Sequence, residues 1–368
     1  MLAEFCDRLL DCGFPIGRVG LFILTLHPQI MGQRLLWRPG VPVDVGPAPY
    51  ERFQTEEFRR SPVRYAIDNV ASLRRKLEDE NCPLDFMQTR ELKAQGVTDY
   101  FVAPLLFFDG AVHAASFATL EAGGFTDRQI AVLEQLMVPL ARAIEARTLR
   151  RMASDLLDTY VGTHAGSRVL AGQIRRGDTA RINAAIWLSD MRGFTRLADS
   201  LPAEALVEQL NRYFDCQVPA ILKRGGEVLK YMGDGLLAIF AIAPDGANEQ
   251  EVCEAALDAA REARTAVAAA SATAGDRFGL RFGLALHTGE VLYGNIGSEN
   301  RLDFTCIGPA VNLAARIEKL TGELERTILA SGAFAKHFPP EFAHISEFGL
   351  RGFGSAQAVF GLKDEARP

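Results

Sequence analysis

Two short stretches decide the fold of this chain: Leu188-Ser-Asp-Met-Arg-Gly-Phe-Thr195 and Leu229-Lys-Tyr-Met-Gly-Asp-Gly-Leu-Leu-Ala-Ile-Phe240. In the first, an apolar strand ends on Asp190, and a glycine and the start of a helix follow at once. The second is typical of a strand pair with Asp234 at the tip of its turn. An acid at a strand end is common in α/β domains, so neither stretch is diagnostic alone. Together, two such carboxylates can share divalent cations, which phosphoryl chemistry requires.

A third stretch lies downstream: Asn295-Ile-Gly-Ser-Glu-Asn-Arg-Leu-Asp-Phe-Thr-Cys-Ile-Gly-Pro-Ala-Val-Asn-Leu-Ala-Ala-Arg-Ile-Glu318. A helix is predicted to begin near Pro309, because proline suits the first turn of a helix. Asn312 and Arg316 are four residues apart, so both project from one helix face. Taken alone, this stretch could also be a surface helix with ordinary polar residues.

In this order and at this spacing, the three stretches resemble the signatures of class III nucleotidyl cyclases, over roughly residues 155–362. The resemblance implies an α+β fold, a ferredoxin-like βαββαβ unit with helices on one face of a mainly antiparallel sheet. It also implies that active sites form only between two such units. Because the chain has one unit, a homodimer with symmetric sites at its interface is expected.

The expected elements of this unit follow from the apolar periodicity of the sequence. They are a strand (181–189), a helix (203–223), a hairpin (226–241), an alanine-rich helix (247–271), two strands (278–287 and 290–296), a helix (309–320) and shorter elements at 327–330 and 348–362.

The resemblance assigns roles to the residues at matching positions. Asp190 and Asp234 would hold two Mg²⁺ or Mn²⁺ ions per active site, with the backbone carbonyl of Met191 as an extra ligand. One ion would activate the ribose 3′-hydroxyl, and the other would neutralise the triphosphate. Arg316 would stabilise charge on the α-phosphoryl group, and Asn312 would orient the ribose.

Further residues are expected on the phosphate side. Gly193, Phe194 and Thr195 lie at a predicted helix N-terminus, whose free N–H groups suit phosphate oxygens. Arg351 stands where the family often carries a phosphate-binding lysine, and it keeps the charge while adding a planar fork. Arg301, just after the start of the third stretch, is a further candidate.

Base choice depends on Lys230 and Thr305. By resemblance, Lys230 stands where adenylate cyclases place a lysine that donates to adenine, and Thr305 where a subclass places a threonine. Guanylate cyclases carry a cysteine in this loop, but Cys306 is one residue away from the base-reading position. ATP is therefore the expected substrate. The alternatives are a guanylate cyclase and a catalytically silent module that binds nucleotide and dimerises. Pro309 departs from the family, which usually has an acidic or amide residue there.

Composition sets broad limits. The 368 residues predict two domains, and a net charge of −6 without a long basic run gives no reason to expect nucleic acid as a partner. No apolar stretch approaches the roughly 20 residues of a membrane helix, so no membrane partner is expected. Six scattered cysteines without a Cys-x-x-Cys pair indicate reduced thiols and a cytoplasmic location.

The chain is therefore expected to have four parts. These are a GAF-like α/β sensory domain (1–125), a signalling helix with coiled-coil character (126–160), a hinge (161–180) and the adenylate cyclase catalytic domain (181–368). A helix at the N-terminus, a strand from Arg18, a Pro/Gly-rich loop (39–49) and a hairpin on the turn Asp109-Gly110 indicate the GAF-like layout. The effector, a small molecule or a protein, is not specified by the sequence.

Three residues of the sensory domain, His27, Trp37 and His113, could line a ligand pocket or could be ordinary core and surface residues. In the helix, Thr126 and Asp127 are typical of an N-cap. The stripe of apolar residues that follows favours a parallel dimer over packing on the sensory domain. Its members are Ile130, Leu133, Met137, Leu140 and Ile144, and a second stripe follows at Leu149, Met152 and Leu156.

Overall fold

The structure is a computed structural model that describes residues 1–273 and 279–365. The chain divides into two compact units, Met1–Thr159 and Tyr160–Pro368. Residue 278, the predicted start of a strand, and residues 366–368 lie outside the described part. Within the described part, no helix combines the length and apolar character that a membrane span requires. All six cysteines are free thiols.

The first unit contains one six-stranded antiparallel sheet in the order β3-β2-β1-β6-β5-β4. Its elements are α1 (Leu2–Asp11), β1 (Arg18–Leu24), β2 (Ile30–Arg38), β3 (Val41–Pro49), a 3₁₀ turn (Tyr50–Gln54), α2 (Glu56–Arg59), α3 (Pro62–Asn69), β4 (Leu73–Arg75), α4 (Met87–Ala94), β5 (Asp99–Leu106), β6 (Val112–Thr119) and α5 (Asp127–Tyr160).

Both faces of this sheet are covered, because alternate residues of each strand point to opposite sides. On one face, Leu21 and Phe117 pack with α1 and with the first half of α5. On the other face, Val102 and Ala114 pack with α3 and α4. The hairpin predicted around Asp109 is present as β5 and β6.

The long helix begins where its cap predicts. Thr126 Oγ1 accepts from the Gln129 N–H at 3.2 Å, and Gln129 Oε1 accepts from the Thr126 N–H at 2.9 Å, so the two residues form a capping box. The preference for a dimer seam in the first stripe was wrong. Leu133, Met137 and Ile144 are buried against the unit's own sheet, because that face of α5 completes the first core.

The Pro/Gly-rich segment 39–49 was predicted to be a loop and is largely strand β3. Its register with β2 pairs Pro47 with Gln33 and Pro49 with Ile30. Prolines are tolerated there because β3 is the edge strand, whose outer N–H groups need no partner in the sheet.

The second unit contains an eight-stranded sheet and seven helices within the described residues. Its elements are α6 (Thr163–Leu170), β7 (Thr179–Met191), α7 (Phe194–Ser200), α8 (Ala203–Asp215), α9 (Val218–Lys223), β8 (Glu227–Met232), β9 (Gly235–Ala241), α10 (Glu249–Thr273), β10 (Phe282–Gly297), β11 (Leu302–Ile307), α11 (Pro309–Glu323), β12 (Ile328–Ser331), α12 (Gly332–Ala335), β13 (Phe342–Phe348) and β14 (Gln357–Leu362).

Strand order in this sheet is β13-β14-β12-β10-β7-β9-β8, and β11 pairs with β10. The four strands β7, β8, β9 and β10 form the βαββαβ unit, and all their pairings are antiparallel. The parallel pairing of β10 with β12 makes the sheet mixed.

Helices cover both faces of this sheet, so the expected one-sided arrangement was wrong. Ala185 and Trp187 point into the core that α10 closes. Ala184 and Ile186 point to the opposite face, where α6 and α11 pack. In β7, the residues that point to either face are small or apolar, which is typical of a strand buried on both sides.

Three further expectations differ from the structure. The helix expected at 203–223 is divided into α8 and α9, because Pro219 lacks the N–H that a continuous helix needs. The two strands expected at 278–287 and 290–296 are one strand, β10, which pairs with β7 along its length. Segment 161–180, expected to be a hinge, contains the helix α6.

Candidate active site

Two carboxylates lie together at one end of the second sheet. Asp190 is the penultimate residue of β7 and pairs with Gly235 of β9 and Gly283 of β10. Asp234 is in the turn that joins β8 to β9. A Cβ at Gly235 would lie 3.3 Å from Asp190 Oδ1, so a glycine there lets the backbone approach the carboxylate closely. The structure thus brings together the two acids that the sequence singled out.

The acids interact strongly. Burial, followed by the charge of Asp234 and a hydrogen bond with it, raises the pKa of Asp190 to about 6. A backbone hydrogen bond with Met191 and the charge of Lys319 act in the opposite direction. Two carboxylates held this close repel each other, and a cation between them relieves that repulsion.

A third carboxylate, Glu318 of α11, was not predicted. Burial, followed by the charge of Asp190, raises the pKa of Glu318 to about 7. A Cβ at Gly283 would lie 3.2 Å from Glu318 Oε1, which places this carboxylate over the strand position that pairs with Asp190. Glu318 is two residues from Arg316, so the two do not share a helix face. The four-residue spacing of Asn312 and Arg316 therefore does not point to Glu318.

The donor set fits divalent cations. Paired carboxylate oxygens are the ligands that Mg²⁺ and Mn²⁺ prefer. Among the described residues, no group of three or more His, Cys, Asp or Glu side chains is arranged to hold a metal, so Glu318 does not complete such a group. The predicted role of the Met191 carbonyl stays a prediction; its side chain is buried in the core.

The predicted phosphate-side residues lie at the start of α7. Gly193 is the N-cap with φ 76°, a conformation that glycine adopts without strain, and Phe194 is the first helical residue. Thr195 follows on the exposed side. The neighbouring Arg192 donates to the carbonyls of Thr321, in the last turn of α11, and of Arg326, which follows that helix.

The two base-reading candidates differ in their surroundings. Thr305 is 3% exposed, and its hydroxyl has no hydrogen-bond partner among the described residues. Cys306 points to the opposite side of β11, into the core with Phe304. Burial raises the pKa of Cys306 to about 11, and the charge of Lys230 opposes this rise, so Lys230 lies near Cys306. No hydrogen bond joins Lys230 to Thr305.

The remaining predicted residues are on the surface of this unit. Asn312 is exposed on α11, and Arg316, one turn later, is half-buried. Lys319, which the sequence analysis did not single out, is the cation whose charge lowers the pKa of Asp190. Arg301 and Arg351 are exposed on the turns before β11 and β14. Neither arginine is among the main causes of the pKa shift of Asp190.

The fold and the acidic pair together define a class. Residues 179–337 match the family model described as "Adenylate and Guanylate cyclase catalytic domain". The second unit therefore contains a class III adenylate or guanylate cyclase catalytic domain.

Curated relatives match this part of the chain. An adenylate cyclase of Dictyostelium discoideum, described as terminal-differentiation specific, is 32% identical over 153 residues, which cover 42% of this chain and 7% of that protein. Adenylate cyclase 1 of Rhizobium meliloti is 30% identical over 146 residues, 39% of this chain and 22% of that protein. The chain thus spans only a small part of the length of these relatives.

A solved structure of a bacterial light-regulated adenylyl cyclase superposes with a TM-score of 0.52 and 21% identity. The match covers 71% of this chain and 86% of that one. At this level of identity, the similarity concerns the fold alone.

Proposed function

We propose that this protein is an adenylate cyclase, which converts ATP to 3′,5′-cyclic AMP and pyrophosphate. The observation that carries the proposal is the pair Asp190 and Asp234, pressed together at the end of the sheet with the pKa of Asp190 raised to about 6. The mutual repulsion of two carboxylates is unfavourable for the fold, and a bound divalent cation would relieve it.

The reaction forms one bond to the α-phosphorus, breaks one, and releases one proton to water. The ribose 3′-oxygen attacks the α-phosphorus and loses its proton, and the bond from the α-phosphorus to the oxygen that bridges to the β-phosphate breaks as pyrophosphate leaves. Asp190 and Asp234 would hold two Mg²⁺ or Mn²⁺ ions, which supply charge neutralisation to the phosphates when bound. The chain's own contribution is positioning and charge stabilisation.

Residues on α11 are assigned to these two tasks. Arg316 stabilises negative charge on the α-phosphoryl group, and Asn312 orients the ribose, because the two share one helix face. The N–H groups at Gly193, Phe194 and Thr195 bind phosphate oxygens. Arg351 and Arg301 would also bind phosphate oxygens if the partner subunit or the bound nucleotide moves their turns toward the site.

ATP is favoured over GTP by Thr305. Its buried hydroxyl without a partner is costly unless a ligand satisfies it, and an adenine amino group would do so. Cys306, which could suggest a guanylate cyclase, is 2% exposed and faces the core rather than the nucleotide. Lys230 donates to the base in this assignment. The lysine can donate to adenine N1, which is an acceptor, but not to guanine N1, which is itself a donor.

The full site is proposed to require a homodimer. By resemblance, the acids of one protomer face Arg316 and Asn312 of the other. Lys319, rather than Arg316, acts on Asp190 within one chain, which is compatible with that arrangement. The first unit is proposed to be a GAF-like regulatory domain, supported by its six-stranded antiparallel sheet with helices on both faces.

Turnover by the purified full-length protein with Mn²⁺, offered ATP and GTP separately, tests the proposal. We expect cyclic AMP from ATP and little product from GTP. The substitution Lys230→Glu should lower the ratio of kcat/KM for ATP over GTP by about a hundredfold, because it replaces a donor to the base with an acceptor. Lys223→Glu, at an exposed lysine of α9, is the matched control and should leave the ratio unchanged.

Preferential turnover of GTP by the unsubstituted protein would contradict the base assignment. An unchanged ratio in the Lys230→Glu protein would contradict the role of this lysine. No cyclic product from either nucleotide, in a protein shown to be folded and dimeric, would count against the enzyme and favour the silent module.

A further inference from the structure

The first unit contains a cavity that the sequence did not indicate. It lies on the face of the sheet covered by α2, α3 and α4 and has a volume of about 70 Å³. One buried water needs about 10–15 Å³, so this space admits several waters or a small organic molecule. His27, Trp37 and His113, the residues considered as pocket residues from sequence, do not line it.

Aromatic rings form much of the apolar wall. Phe22 comes from β1, and Phe53 and Phe58 come from the 3₁₀ turn and α2. The rings of Phe53 and Phe58 meet edge to face with their centroids 4.5 Å apart. Such walls favour a planar aromatic guest, because offset and edge contacts between rings add to the free energy of burial.

Two residues of the lining each have a buried side-chain atom without a partner among the described residues. These atoms are the Nε of Arg34 on β2, which is a donor, and the Oε1 of Gln88 on α4, which is an acceptor. An unpaired buried polar atom costs about 1–3 kcal/mol, so it is usually paired by a ligand or by water.

The arginine is held in place by its other contacts. Arg34 Nη2 donates to Asp44 Oδ2 at 2.6 Å. A Cβ at Gly46 would lie 3.4 Å from Nη2, so the guanidinium rests over the bare backbone of β3. With Nη2 engaged, the Nε–H is left as a fixed, charged donor. Arg52 and Glu57 are exposed residues of the lining with opposite charges, so their effects on a charged ligand oppose each other. The charge of Arg34 therefore favours a negatively charged ligand group.

We propose that this cavity binds a small hydroxylated aromatic carboxylate. The carboxylate accepts from Arg34 Nε, the hydroxyl donates to Gln88 Oε1, and the ring lies among Phe22, Phe53 and Phe58. This one molecule satisfies both unpaired atoms and matches the apolar wall. Ordered water could satisfy the two atoms but would leave the phenylalanine wall in contact with solvent.

Isothermal titration calorimetry of the full chain with 4-hydroxybenzoate tests the proposal. Arg34→Met should weaken binding at least tenfold, since a hydrogen bond to a charged group is removed. Ala48→Phe, which fills the cavity from β3, should abolish binding. Arg38→Met is the matched control, because Arg38 is exposed on the same strand, lies outside the lining and should not affect binding.

A second comparison tests the Gln88 contact. Benzoate, which lacks the hydroxyl, should bind more weakly than 4-hydroxybenzoate to the unsubstituted protein. The two should bind equally to the Gln88→Leu protein, because each change removes the same hydrogen bond. Thermal melts followed by circular dichroism identify any variant that fails to fold.

Several outcomes would overturn the proposal. These are no binding of 4-hydroxybenzoate at millimolar concentration, binding that survives Ala48→Phe in a folded protein, and equal weakening by Arg34→Met and Arg38→Met. Binding that depends on Arg34 and Ala48 but not on Arg38 supports it.

Discussion

Two acids at strand ends, Asp99 in the first unit and Asp190 in the second, have opposite surroundings. Asp99, at the start of β5, is fully buried and accepts from Arg74 Nη2 at 2.7 Å and from the Phe125 N–H at 3.1 Å. Asp190 is partly buried against another carboxylate, Asp234. The difference is whether the chain itself supplies hydrogen-bond donors to the buried carboxylate. Asp99 receives its donors from the chain, whereas Asp190, which we propose to be a metal ligand, lies against a second acid.

Asp99 also helps to hold the first turn of the long helix α5 in place. Arg74 joins Asp99 to Asp127 in the first turn of α5, with 2.8 Å between Arg74 Nη1 and Asp127 Oδ1. A Cβ at Gly124 would lie 2.7 Å from Asp99 Oδ2, so glycine is required where the chain passes this carboxylate. The ion pair therefore fixes β4, β5 and α5 relative to one another.

The largest expected effect is on turnover, at Asp190. Asp190→Asn should reduce kcat by a thousandfold or more, because the amide is a weak ligand for a divalent cation. The free energy of unfolding without metal should stay equal or rise, since the repulsion from Asp234 is removed. Steady-state kinetics and urea denaturation measure the two quantities. Asp258→Asn, at an exposed acid of α10, is the control and should change neither.

Mixing the Asp190→Asn protein with Arg316→Ala protein sharpens this result. If each site combines acids from one protomer with Arg316 from the other, a heterodimer rebuilds one intact site and recovers activity. Heterodimers that form but stay inactive would contradict the shared site, and full activity of Asp190→Asn alone would contradict the role of the acid.

The next effect is on stability, at Asp99. Asp99→Ala should lower the free energy of unfolding by about 3 kcal/mol, because it leaves the Arg74 charge and the Phe125 N–H without their buried partner. Urea denaturation of the full chain, in which the first unit's transition should shift, measures this. Asp127→Ala removes the exposed partner of the same arginine and should shift that transition far less. Equal shifts for the two variants would mean that burial does not distinguish these acids.

The smallest expected effect is on the pH dependence of stability, and it arises because each unit contains a buried histidine. In the first unit, Leu24 N–H donates to His113 Nδ1 at 3.0 Å. In the second, His287 Nδ1 lies 2.7 Å from Ser331 Oγ, which also accepts from the Phe334 N–H. In either tautomer of the neutral ring, Nδ1 and the serine hydroxyl share this hydrogen bond. Burial lowers the pKa of both rings, that of His287 to about 4.

Stability should consequently fall as the pH is lowered from about 6.5 to about 4. In this window, the unfolded chain binds a proton at His287 and the folded chain does not, and the lowered pKa of His113 acts in the same direction. The loss at His287 is on the order of 2–3 kcal/mol by pH 4. Urea denaturation across this range should show a shallower dependence in His287→Gln for the second unit and in His113→Gln for the first. His164→Gln, on the exposed side of α6, should match the unsubstituted protein; identical slopes in all four proteins would refute the assignment.

Local patterns predicted the second unit well. The acids at 190 and 234 stand where a strand gives way to a turn, and glycines beside them mark the change of direction. Such features depend on neighbours in sequence, so the strands, the turn and the helix beginning at Pro309 could be read directly. Glu318 and Lys319 could not, because their importance comes from α11 lying across β10, a contact between distant segments.

The stripes of apolar residues did not identify the surface against which the helix packs. The spacing of Leu133, Met137 and Ile144 predicts an amphipathic helix but not the surface that covers it. In the structure, that surface is the unit's own sheet. A second copy of the helix would satisfy the same pattern, because hydrophobic burial is non-directional.

The sequence by itself determined most of the strands and helices of the second unit and the position of its two acids, because turn chemistry and strand periodicity act over a few residues. Only the tertiary structure decided what surrounds each polar group. It supplies Asp99 with its donors, presses Asp190 against Asp234, and leaves Arg34 Nε and Gln88 Oε1 unpaired beside a cavity. The physical reason is that hydrogen-bond satisfaction and desolvation depend on residues far apart in the chain, which no local pattern records.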